Sequence, residues 1–105
     1  MPRKPTGNRP FNARLTPSDI EFLKQEQRRT GAATLSSVME EALQKLLDET
    51  NDGHSGITLV PTGEKITKRK YMLSEALLAR MQKARRHVGF NVQQMARAAI
   101  ARLRG

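Results

Sequence analysis

Asn12 and Arg14 stand two residues apart in the stretch RPFNARLTP, residues 9–17, and alternate with Phe11, Ala13 and Leu15. A period of two is the pattern of a half-buried strand, so the amide and the guanidinium project from the face opposite the apolar three. Both are planar groups that make two hydrogen bonds at once. An Arg fork matches guanine O6 and N7, an Asn amide matches adenine N6 and N7, and each good pairing contributes about 1–3 kcal/mol of discrimination. A second run, KRKYML at 68–73, puts Tyr71 and Leu73 in the inward phase and Lys68, Lys70 and Met72 in the outward one. Asn12, Arg14, Lys68, Lys70 and Met72 are therefore the outward residues of the two runs. The position matching Phe11 is Arg69, so either its long stem snorkels the cation outward to an anion or the second strand starts after it.

Catalytic chemistry finds no comparable constellation. His54 lies in a stretch rich in Gly, Ser and Asp and His87 near a helix end, each read as a lone surface histidine with no second ligand at metal spacing. Glu40-Glu41 and Asp48-Glu49 are adjacent on a helix and point to different azimuths, so neither makes a converging acid/base pair. No Gly-rich phosphate loop or nucleophile motif is present. The expectation is a protein that is not an enzyme, with no metal, cofactor or small-molecule substrate.

The elements that position the outward residues recur along the chain. A shift of 58 aligns Leu15 with Leu73, Thr16 with Ser74, Ile20 with Leu78, Leu23 with Met81 and Gly31 with Gly89; beyond the glycines a shift of 57 aligns Leu35 with Val92, Val38 with Met95, Ala42 with Ala99 and Leu46 with Leu103. Each copy reads as strand, helix, helix. Thr16 and Ser74 are N-cap residues for the first helix, with Pro17 and Asp19 or Glu75 in its opening turn, and Gly31 or Gly89 is expected to end it in the left-handed conformation. Thr34 and Asn91 cap the second helix. Its apolar stripe runs Leu35, Val38, Met39, Ala42, Leu43, Leu46, Leu47 in one copy and Val92, Met95, Ala96, Ala99, Ile100, Leu103 in the other. A unit of about 40 residues buries too little apolar surface to stand alone, so the two must pack together.

Charge points to the class of partner. The 105 residues hold 19 Lys+Arg against 10 Asp+Glu, a formal +9. Residues 1–50 carry eight cations and seven anions, whereas residues 51–105 carry eleven and three. Such a balance suggests a polyanion, and nucleic acid first. With three Phe, one Tyr and no Trp there is no platform for stacking single-stranded bases, which favours duplex. The absence of cysteine fits a reducing compartment, and no apolar run approaches a membrane span or a signal peptide. The expected location is cytoplasmic and DNA-associated, with no membrane partner.

Strand, helix, Gly-containing turn, helix resembles the ribbon-helix-helix superfamily, and FNARLTP is similar to the Arc-type strand in its Phe-Asn-x-Arg order. The resemblance covers nearly all of 9–49 and 67–104. It implies an α+β, mostly helical fold, a tandem ribbon-helix-helix of (β-α-α) twice, with a two-stranded antiparallel ribbon and four helices forming an internal pseudo-dimer. It further implies double-stranded DNA as partner, with the ribbon in the major groove and Asn12, Arg14, Lys68, Lys70 and Met72 as the base-contacting residues, and a transcriptional regulator of the repressor type. The departure of the second strand from the pattern predicts an asymmetric target. Phosphate contacts are expected from Thr34, Ser36, Ser37, Asn91 and Gln93 at the starts of the second helices, from Arg69, and from Arg3, Lys4 and Arg9.

The expected organisation is a disordered basic arm at 1–8, units at 9–49 and 67–105, and a linker at 50–66 that is ordered, with Ile57–Val60 tucked on the body or forming a short strand. One such chain would be monomeric in solution and assemble further on DNA. A plasmid-transfer accessory protein would share the fold. An antitoxin or protein-interaction module is the alternative from another class, and would use the arm or the linker.

Overall fold

In a computed structural model, which describes residues 8–57, 59 and 62–104, the chain runs β1 (Asn8–Leu15), α1 (Pro17–Thr30), α2 (Leu35–Glu49), β2 (Thr67–Ser74), α3 (Glu75–Ala84), a 3₁₀ turn (Arg85–His87) and α4 (Val92–Arg104). The fold is α+β and mostly helical, with one two-stranded antiparallel sheet and four α-helices. Residues 1–7 of the arm expected at 1–8, with Arg3 and Lys4, lie outside the described residues, as do Thr58 and Val60, whereas Asn8, expected in that disordered arm, opens β1 opposite Ser74. Ile57 packs partly buried against the core.

Local chemistry accounts for the element boundaries. Thr16 Oγ1 accepts from the Asp19 amide at 3.1 Å while the Asp19 carboxylate accepts from the Thr16 amide at 3.1 Å, a closed capping box with Pro17 behind it. Ser74 Oγ caps α3 through the Leu77 amide, and Thr34 Oγ1 caps α2 through the Ser37 amide. Asn91 and Gln94 cap α4 reciprocally, each side-chain oxygen accepting from the other's backbone N–H. Gly31 ends α1 at φ 76° and donates to the Gln27 carbonyl.

The second copy departs from the expected continuous helix to Gly89. Gly89 does take φ 76°, but α3 stops at Ala84 and the chain tightens into the 3₁₀ turn Arg85–His87. The linker presses on this end: a Cβ on Gly53 (φ 88°) would meet the Ala84 carbonyl oxygen at 3.2 Å and Val88 Cγ1 at 3.3 Å. Arg80 of α3 ties the linker turn and the end of α2 to this helix, bonding Asp52 at 2.8 Å and Asp48 at 2.5 Å. At the linker's other end Glu64 accepts from the Ser18 hydroxyl and amide at the first turn of α1.

In the sheet Phe11 pairs with Tyr71, Ala13 with Arg69, and Leu15 with Thr67. Phe11, Ala13, Leu15, Tyr71 and Leu73 are buried; Arg69 shares their phase and faces the buried Ala13, yet is exposed, its long stem carrying the guanidinium out to solvent. The helices pack crosswise, α4 against β1 and α2 against β2, with α2 against α4. One apolar cluster therefore draws on both halves of the chain, from Leu23, Leu43 and Leu47 to Met81, Met95 and Ile100.

Tyr71 reports on this core. It is the chain's one tyrosine, and burial raises its phenol pKa, with Arg69 pulling weakly the other way. A raised folded-state pKa means the stability it contributes is whole below the ordinary phenol value of about 10 and is lost as pH climbs through the folded value. The absorbance of phenolate at 295 nm should appear later than in free tyrosine, and Tyr71→Phe should keep its urea midpoint to higher pH than the parent. Titration like free tyrosine with the fold intact would contradict the burial.

Candidate nucleic-acid interface

The outward face of the ribbon consists of three facing pairs, Pro10 with Met72, Asn12 with Lys70 and Arg14 with Lys68, all exposed. Neither strand contains an Asp or Glu. Four residue steps of a strand extend about 13 Å, which is close to four base steps at about 3.4 Å each, and a two-stranded ribbon is admitted by a major groove about 12 Å wide. Pro10 is tolerated here because the Met72 amide bonds Ser36 rather than β1. In an antiparallel ladder that makes Pro10–Met72 a non-hydrogen-bonded pair, so the missing N–H costs the ladder nothing.

The start of a helix from the other half bonds each strand, through backbone amides on β2 and through a side chain on β1. On β2, Ser36 Oγ accepts from the Met72 amide at 2.9 Å and Glu40 Oε1 from the Ser74 amide at 3.1 Å. On β1, Gln93 Oε1 accepts from Arg14 Nε at 3.1 Å. The bond uses one of five guanidinium donors, orients the fork and leaves both Nη groups for a ligand.

The residues expected at phosphates are thus partly engaged within the protein. Thr34 donates to the Ser37 hydroxyl while accepting from its amide, which leaves the Ser37 O–H as the outward donor. Ser36 accepts and keeps its own proton to donate, and Asn91 spends its oxygen on capping and keeps its NH2. Gln93 serves Arg14 first. Arg9 pairs with Glu75 at 2.6 Å, and Arg69 is exposed.

Two further cations stand beside the start of α4. Because α3 ends at Ala84, Arg85 and Arg86 sit in the 3₁₀ turn and line a shallow groove with Gly89, Phe90, Asn91 and Gln94. The corresponding groove at the start of α2 is lined by Asn8, Thr34, Ser36, Ser37 and Met72 together with the acids Glu40 and Glu41. The signal available in the sequence was the Arg-Arg-His run two residues before Gly89.

The two histidines, expected to be separate, are in contact: their ring centroids lie 3.9 Å apart at 37° where the linker turn meets the 3₁₀ turn. Among the described residues no group of three or more His, Cys, Asp or Glu is placed to hold a metal ion. No helix among them is long and apolar enough to cross a membrane. Searches of family models, of curated proteins and of solved structures find no match to this chain.

Proposed function

We propose that this protein binds double-stranded DNA sequence-specifically, with the β1–β2 ribbon in the major groove, and acts as a repressor-like transcriptional regulator. Two strand-helix-helix units of one chain, paired as an internal pseudo-dimer of the ribbon-helix-helix kind, supply the ribbon. The observation that carries this reading is the ribbon's outward face: an amide, a guanidinium and two ammonium groups, no carboxylate, and an Arg14 fork already oriented by Gln93. Arg and Asn at such positions have the donor geometry for base edges, and the lysines have the charge for phosphate or guanine. A role in marking a plasmid transfer site would use the same face and differ only in where the bound sequence lies.

Repeated selection from a random duplex library tests the reading. The enriched duplex is expected to bind at least a hundredfold tighter than the unselected pool at moderate salt, since specific readers exceed their own non-specific affinity by about 10³ or more. Tight, steeply salt-dependent binding with no enriched motif would overturn sequence-specific reading and leave phosphate attraction alone.

A further inference from the structure

We infer that the ribbon reads a duplex of fixed polarity, with guanine under its Arg14–Lys68 end and thymine methyl groups under its Pro10–Met72 end. The inference rests on the groove reading above.

The register defines what a symmetric reader would require. Asn12 faces Lys70, and these are the positions that the 58-residue shift aligns. Rotation about that middle pair therefore carries Arg14 onto Met72 and Lys68 onto Pro10. A palindromic site would present the same base edges to both ends, yet the ends have opposite chemistry.

At one end two cationic donors face each other, suited to the O6 and N7 acceptors of guanine. At the other a pyrrolidine ring faces a thioether, which offer no donor to those acceptors but make apolar contact with the C5-methyl of thymine. Met72 is 42% exposed, one of two large hydrophobic side chains so exposed among the described residues. Its backbone is fixed by Ser36, so the side chain stays on the outward face rather than turning to the core.

Charge beside the ribbon has the same polarity. Glu40 and Glu41 line the groove next to Met72, and Arg9 near that end is tied to Glu75. Beside Arg14 the start of α4 carries Gln93 and Asn91, and its groove is lined by Arg85 and Arg86, with no acid. Backbone attraction and guanine recognition thus coincide on one side.

The test is the sequence selected from a random duplex library, followed by single-atom changes in the winning duplex. A non-palindromic motif is expected, with guanine in one half and thymine in the other. Replacing that guanine by 7-deazaguanine should weaken parent binding about tenfold, and by much less in Arg14→Ala. Replacing thymine by uracil in the other half removes only the methyl group. It should weaken the parent about three- to fourfold and leave Met72→Ala unaffected. A palindromic motif, or indifference to uracil at every thymine, would overturn the polarity while groove binding stood. Failure to enrich any motif would overturn both.

Discussion

Asn12→Ala combined with Arg14→Ala should reduce affinity for the selected duplex about a hundred- to a thousandfold while leaving affinity for a scrambled duplex within a few-fold. Each side chain is exposed on the ribbon and each can make a bidentate contact. Two such contacts at about 1–3 kcal/mol each give a discrimination of that order, since about 1.4 kcal/mol is tenfold. Non-specific affinity should fall little, because Lys68, Lys70, Arg69, Arg85 and Arg86 still neutralise phosphates and only one cation is removed. The fold should persist: exposed substitutions away from caps and core usually change stability by no more than about 0.5 kcal/mol. Anisotropy titrations with both duplexes, beside circular dichroism of the variant, separate the cases. Selectivity unchanged within threefold would mean that the ribbon face does not read bases.

Leu43→Ala should lower stability by about 2–5 kcal/mol and unfold both halves of the chain in one transition. Leu43 is fully buried on α2, in the cluster that α4 shares. A domain of this size has only about 5–15 kcal/mol in total, so the loss is a large fraction of it. The cooperativity follows from the crossed packing. With β1 against α4 and β2 against α2, neither half keeps a closed core when the other opens. The absence of Trp leaves Tyr71, on β2, as the chain's dominant intrinsic fluorophore, whereas the substitution lies in α2. Urea transitions followed by tyrosine fluorescence and by helical circular dichroism should therefore coincide at a lowered midpoint. Separate midpoints would show that the halves fold independently.

Much of the architecture was legible because it is local. A period of two set which strand residues face out, and residues within four positions of one another set the caps at Thr16, Thr34, Ser74 and Asn91. The apolar stripe of α2 marked its buried face, since Val38, Met39, Ala42, Leu43, Leu46 and Leu47 are all buried. Such signals depend on short-range hydrogen bonds and on a helix or strand repeat, which the order of residues alone specifies.

Other features depended on which distant segments meet. Gln93 reaches Arg14 across 79 positions, and Ser36 reaches Met72 across 36. No local propensity encodes either bond. The register that sets Asn12 opposite Lys70, the burial of Ala98 on α4, and the contact of His54 with His87 are likewise products of tertiary packing. The early end of α3 is another, since its register of caps pointed to Gly89 while the linker glycine Gly53 packs against Ala84 and Val88. The sequence by itself determined the order of the elements, their N-caps and the chemistry of the ribbon's outward face. Tertiary structure decided the pairing of those faces, because burying two incomplete apolar cores against each other fixes which polar groups are left side by side.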